Sequence, residues 1–299
     1  MFKRLLPLFF LAILSFFCHS QQIVFYKNYF GGLEMRCWSI DTVHDGGYII
    51  GGNYATDIGN DFLMLKTDSN GNELWRKTNN YLNIHADSSN EGRAIHETPD
   101  HGFIICGNIT LAGVGQKTYL VKTDSLGNKL WEKFYNLGGP EKADDFLFIN
   151  DTNFLVAVNL VNYMQLLICN GNGDTLKSYK YYPPLGFDIL IEHIQKRENN
   201  NYILTGQVDT NGVSSAAILY LDTALNLDHF FINPEYPVNS TISGYSLVGT
   251  KANLNLERGV NSGSPSYLNQ IFYLDSSYLR QNIRSFVYMT HCSFGESKD

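Results

Sequence analysis

After residue 20 the chain has no apolar run long enough to cross a bilayer as a helix, which leaves a mature chain without a transmembrane segment. Charged residues are scarce, 17 % of 299, and no Lys/Arg cluster stands out in a chain of formal net charge −7. That balance excludes nucleic acid as a partner, because phosphate recognition needs concentrated positive charge. There is no H-x-x-x-H, H-E-x-x-H or G-x-S-x-G, so zinc-hydrolase and serine-hydrolase chemistry lack their usual signatures. There is no C-x-x-C either. Cys37, Cys106, Cys169 and Cys292 are widely spaced and read mainly as buried thiols acting as small hydrophobes, with a Cys37–Cys106 bridge left open. No cofactor and no metal site are expected, and no catalytic constellation can be named.

Aromatic residues, by contrast, are abundant, at 14 % with 19 Tyr and 19 Phe. Such side chains suit pleated, half-buried strands. At the N-terminus, Lys3-Arg4 precede the apolar run Leu5–Phe17, and Cys18-His19-Ser20 follow. This is the layout of a secretory signal peptide over residues 1–20, and it predicts an exported protein that is secreted, periplasmic or at the cell surface. A lipid anchor on Cys18 is disfavoured by Phe16 and Phe17, where a lipobox wants small residues. Cleavage removes Lys3 and Arg4 and no acid, so the mature chain is still more acidic.

The informative feature is internal repetition. Asp45-Gly-Gly-Tyr-Ile-Ile-Gly-Gly-Asn53, followed by Lys66-Thr-Asp-Ser-Asn-Gly-Asn-Glu-Leu-Trp75, returns as Asp100-His-Gly-Phe-Ile-Ile-Cys-Gly-Asn108 and Lys122-Thr-Asp-Ser-Leu-Gly-Asn-Lys-Leu-Trp131. Weaker copies follow. Tyr48, Phe103, Phe154, Tyr202 and Tyr245 mark one strand. Asp68, Asp124, Asn170, Asp222 and Asp275 end another. The period is near 50 residues, about the size of a propeller blade. Each unit reads as four strands, A to D, with tight Gly-bearing A–B and C–D hairpin turns. The fold predicted is all-β, a β-propeller of about five four-stranded blades, few for a closed ring. The domain spans 21–299, with units near 37–79, 91–136, 143–182, 188–233 and 240–290. Ile23–Tyr29 reads as an orphan D strand.

The A–B and C–D turns belong to one face, called here the turn face. The B–C and D–A connections, read as long and irregular, belong to the other, the loop face. Loops held on a rigid scaffold carry function, so the loop face is the predicted binding face. Tyr54, Tyr81, Tyr163, Phe187 and Tyr236 are its candidate ligand-binding residues, with a protein or a glycan as partner. Trp38, in strand A, is assigned to packing between blades. Asp144-Asp145 are placed in a D–A loop as solvated acids, and Asp68–Glu73 is read as a turn rather than a calcium loop.

The repeat resembles the propeller-forming repeats of secreted and surface proteins from Bacteroidetes-type bacteria. The likeness covers residues 37–136 well and 143–290 loosely, and it implies architecture rather than activity. The Asp-x-x-Gly-x-x-Leu-Trp pattern also resembles the tryptophan-docking repeats of quinoprotein-like propellers, although only Trp75 and Trp131 fit, with Lys177, Asp228 and Arg280 near that place in later units. Three functions remain open. The first is a non-enzymatic binding protein. The second is a glycan-active or quinoprotein-like enzyme with its site at the central channel, and the third is a truncated member without activity.

Overall fold

The computed structural model describes residues 27–29, 34–56, 59–78, 89–111, 113–183, 188–197, 199–209, 214–232, 253–259, 267–274 and 280–288. It is a β-propeller. The first blade is β1 (Met35–Thr42), β2 (Tyr48–Thr56), β3 (Gly59–Thr67) and β4 (Glu73–Thr78). The second is β5 (Ser89–Glu97), β6 (Phe103–Leu111), β7 (Gly115–Thr123) and β8 (Lys129–Tyr135). The third is β9 (Glu141–Phe148), β10 (Asn153–Leu160), β11 (Tyr163–Asn170) and β12 (Thr175–Tyr181). The fourth is β13 (Asp188–Lys196), β14 (Tyr202–Asp209), β15 (Ser214–Leu221) and β16 (Leu227–Ile232). Each is an up-and-down antiparallel sheet in chain order. A further three-stranded sheet holds β17 (Asn253–Gly259), β18 (Tyr267–Leu274) and β19 (Arg280–Tyr288). No helix occurs among the described residues.

Strands B and C are largely apolar on both faces, and successive blades cover one another's faces where they stack. The core is therefore divided into slabs between blades. Ile49, Met64, Ile95, Phe103 and Tyr119 fill the first slab, Cys106, Leu120, Phe146, Phe154 and Val156 the second, and Leu155, Leu166, Ile191, Leu204 and Leu219 the third. Cys37, Cys106 and Cys169 are all free thiols, with Cys37 exposed rather than buried. Cys292 lies outside the described residues.

The repeat's signature residues have separate jobs. Asp68 accepts backbone N–H bonds from Asn70 and Asn72, and a side-chain bond from Asn72. Asp124 and Asp222 do the same, and Asn170 with Asp174 exchanges the roles. These carboxylate oxygens are used up by their own turn, as a hairpin reading requires. Lys66 and Lys122 are buried and reach 2.8 Å from Asp45 and Asp100 in the A–B turns. A Cβ on Gly47 or Gly102 would lie 2.9 Å and 2.3 Å from those ammonium nitrogens. In the third and fourth blades Ile168 and Tyr220 replace the lysine, by strand register, and Asn153 and Asn201 replace the glycine. Glycine and lysine are thus kept or lost together.

Strand D locks each blade to the next. Trp75 lies against Gly127, and Trp131 against Gly173, where a Cβ would come within 3.0 Å and 2.9 Å of the indole. Trp131 Nε1 donates to the Gly171 carbonyl. Pairing places Lys177 and His229 at the tryptophan position of the third and fourth blades, one residue from the Asp228 expected. Tyr135 donates to the Gly173 carbonyl at 2.7 Å, and Tyr181 to that of Leu225 at 2.5 Å. Tyr29 makes the equivalent bond to Gly71 at 2.8 Å, and Lys27 reaches Asn72 as Lys133 reaches Asp174. Residues 27–29 therefore stand against the first blade where a D strand of a preceding blade would stand.

Two readings of the connections change. Strands B and C run on to Thr56 and Gly59 in the first blade, and to Leu111 and Gly115 in the second. In the first three blades at most three residues separate strand B from strand C, so there the asymmetry between faces rests on the D–A connections. In the fifth unit, residues 253–259 and 267–269 are strand rather than loop. Tyr245 and Gly249 lie outside the described residues.

Candidate functional site

Strand A of each four-stranded blade carries the same irregularity. The register with strand B shifts between Cys37 and Ser39, Gly92 and Ala94, Ala143 and Asp145, and Ile191 and His193. One residue per strand is thereby bulged out: Trp38, Arg93, Asp144 and Glu192. Bulges re-aim side chains, and here they bring polar groups of successive innermost strands together. Trp38 is 48 % exposed, with the Arg93 guanidinium 4.4 Å above its ring, so it is a cation–π partner across two blades more than a packing wedge.

A belt of alternating charge runs through these strands. Asp41 of β1 lies 2.8 Å from His96 Nδ1 of β5. His96 Nε2 is 3.9 Å from Asp145 of β9. Asp145 is 3.6 Å from His193 Nδ1 of β13. Asp145 also accepts the backbone N–H of Ile194 and of Phe146, each at 2.9 Å. Burial works against both charged forms, but the partners win. Asp145 is held below the usual carboxylate range by His193 and His96 despite its burial. His96 is raised to about 9, because Asp145 and Asp41 outweigh desolvation. His193 is raised by Asp145 in the same way.

Asp144 differs. It sits beside Asp145 on β9, not in a D–A loop as expected, and neither residue is a solvated surface acid: their side chains are 7 % and 12 % exposed. Asp144 meets Lys142 at 3.0 Å, Asn159 Nδ2 at 3.0 Å and Arg93 Nε at 3.5 Å. Burial dominates these contacts and pushes its carboxyl up. The two neighbouring carboxyls are therefore driven in opposite directions.

Asn159 connects this network to the loop face. Its Oδ1 accepts the Ile191 N–H at 2.7 Å, and its Nδ2 also donates to the Ile191 carbonyl at 2.8 Å. Asn108 caps Ala143 N in the same way one blade earlier. Beyond Asn159 a cleft of about 310 Å3 opens between the third and fourth blades. Its lining includes Gln116, Gln207, Asp188, Asp209 and Lys142 among polar residues, with Leu160, Val161 and Ile189 as apolar ones, while the buried Glu141 and Asn159 border it with their polar atoms bonded inward. Val161 is 57 % exposed. Next to it Asn162, in the left-handed region at φ 67°, donates its N–H to Asp188. Tyr163 follows. Its ring lies 5.4 Å from that of Tyr182 at 32°, and Lys180 Nζ stands 5.0 Å from its centre. Tyr182, immediately after β12, is 66 % exposed.

Of the residues predicted to bind ligand, Tyr163 follows the cleft residue Val161 by two positions and is not itself part of the lining. Tyr54 lies in β2 of the first blade, half-buried, and is not brought to it. Tyr81, Phe187 and Tyr236 lie outside the described residues. Sequence reasoning missed Tyr182, although an aromatic directly after a D strand, in Tyr181-Tyr182-Pro-Pro, belongs to the same class. It also missed Asn108 and Asn159, which follow the repeat's Gly position as Asn53 does.

No protein-family model matches the chain, and no curated protein matches it. Among solved structures it is similar to the NanB sialidase of Streptococcus pneumoniae. A point variant of that enzyme has a TM-score of 0.56 at 9 % identity, over 83 % of this chain and 60 % of that chain. The same sialidase with a chlorobenzylammonio-ethanesulfonate bound has a TM-score of 0.55, at the same identity and coverage. This chain therefore spans about 60 % of the length of those sialidase chains. At that identity the likeness concerns the fold, and it agrees with a propeller.

Proposed function

We propose that the protein is an exported, non-enzymatic β-propeller that binds a glycan through its loop face, at the cleft between the third and fourth blades. The single observation carrying this reading is the aromatic pair Tyr163–Tyr182, whose first member stands two residues along the chain from Val161 in a cleft lined by amide- and carboxylate-bearing residues. Sugars present apolar ring faces edged by hydroxyls. Aromatic faces take the first, and polar side chains such as Gln116, Gln207 and Asp188 take the second. Export rests on residues 1–20, and a relationship to Bacteroidetes-type surface repeats rests on the motifs in residues 37–136. The glycan-acting sialidases of like fold are compatible with it.

A second reading is favoured by one observation. Asp144, with its raised carboxyl, contacts two residues of the cleft, Lys142 and Asn159, and acids of raised and lowered pKa side by side are the usual equipment of hydrolases. Calorimetric titration with soluble oligosaccharides, together with product analysis, separates the two. Binding weakened about tenfold or more by Tyr182→Ala, with the glycan recovered intact, is the expected result. Cleavage abolished by Asp144→Asn would favour the enzyme, and saturable binding of proteins but of no sugar would overturn the glycan assignment.

A further inference from the structure

A separate cluster lies on the turn face. His44 and His101 occupy the A–B turns of the first and second blades, which blade packing sets side by side. Glu97 ends β5 between them. Glu97 Oε2 accepts the His44 backbone N–H at 2.8 Å, which fixes the carboxylate. Glu97 Oε1 then faces both rings, 2.5 Å from His44 Nδ1 and 3.4 Å from His101 Nδ1. The rings are 3.7 Å apart, and one ligating atom from each of the three residues falls within 4.8 Å of the others. His101 adopts φ 60° where the first blade has Gly46 at φ 79°. A side chain in this left-handed position costs backbone energy that glycine avoids, and here it places an imidazole over the neighbouring turn.

We propose that His44, Glu97 and His101 form a binding site for a divalent transition-metal ion of the zinc class, bridging the first two blades. Two imidazoles and one carboxylate make a donor set suited to borderline ions, whereas calcium and magnesium favour all-oxygen sites. Two donors around a tetrahedral zinc, each about 2.0–2.1 Å from the metal, stand about 3.3 Å apart, close to the 3.4 Å between His101 Nδ1 and Glu97 Oε1. His44, with its side chain 49 % exposed, is free to swing its ring out of the hydrogen bond to Glu97 and join them. Both imidazoles are open to solvent, so the ion enters directly and keeps water in its remaining position. Among the described residues the site is particular to this junction. By turn register, Phe148, Asn150 and Thr152 stand at the positions of Glu97, His44 and Gly46 in the third blade, and Lys196 and Asn200 at those of Glu97 and His101 in the fourth. It lies on the face opposite the cleft and does not depend on the glycan reading.

The test is titration of untagged, EDTA-treated and dialysed full-length protein with Zn2+ by calorimetry, and with Co2+ by visible absorption. One ion per chain is expected, with ligand-field bands of a four-coordinate nitrogen–oxygen site. His44→Ala, His101→Ala and Glu97→Gln should each weaken binding by at least about tenfold, while His229→Ala leaves it unchanged. Thermal melts of the metal-free variants confirm that each is folded. No binding at millimolar Zn2+, or binding that survives His101→Ala in a folded protein, would overturn the proposal.

Discussion

Asp145→Ala is expected to destabilise the protein by about 3–5 kcal/mol, the usual cost of removing one partner from a buried charged cluster. The side chain accepts the N–H groups of Ile194 and Phe146 and lies between His96 and His193. Its loss strands two backbone donors and leaves two imidazoles facing each other without the anion between them. The contacts span the second, third and fourth blades, so the effect should appear as a loss of global stability rather than local fraying. Urea denaturation followed by far-UV circular dichroism measures it. A change below about 1 kcal/mol would place Asp145 among ordinary surface acids.

Stability should also fall as the pH rises from about 6.5 to about 9. A group whose pKa is raised on folding stabilises fully below its unfolded value and loses that contribution as the pH climbs through the folded one. His96 is raised from 6.5 to about 9, and His193 is raised as well. Water reaches about a third of the His96 side chain, so the alkaline loss attributable to it is about 2 kcal/mol after that allowance. The acid limb has the opposite sign. Asp45 and Asp145 are lowered, and Asp100 is lowered to about 2 through Lys122 and Thr98 despite partial burial. These carboxylates stabilise above their ordinary range near pH 4 and lose that contribution toward pH 2. Thermal melts across pH should therefore peak between about pH 4 and 6.5. In Asp145→Ala the alkaline decline should shrink, because Asp41 alone remains beside His96. A melting temperature that stays flat from pH 6.5 to 9 would remove the belt from the account.

Much of the architecture is legible in the sequence because local chemistry dictates it. A Gly that must let a lysine ammonium pass, an Asp that closes its own turn and a Trp that docks on the next blade's glycine each recur at fixed offsets. The repeat survives as a readable pattern for that reason. The site is less legible. Asp144-Asp145 looks like a loop pair because strand A is polar and irregular, and a bulge in each described copy breaks the period-two alternation that marks a strand. Nothing local tells His96 that Asp41 and Asp145 lie beside it. Those contacts run 55 and 49 residues along the chain and exist only once blades stack. His44 and His101 fall in turns of adjacent blades, and their meeting follows from that placement, yet no spacing motif announces it. Polar residues such as Asn60, Thr110 and Gln116 carry strands B and C into a solvated rim, which composition alone assigns to long loops.

The claim that the loop face recognises ligand is tested most directly by amide hydrogen exchange on the mature protein, with and without a saturating oligosaccharide mixture. The account predicts slower exchange around Val161–Tyr163, Tyr182, Asp188–Leu190 and Gln207–Asp209, with no change in the turns at Val43–Gly47 and Thr98–Gly102. Protection confined to the turns, or no protection anywhere, would contradict it.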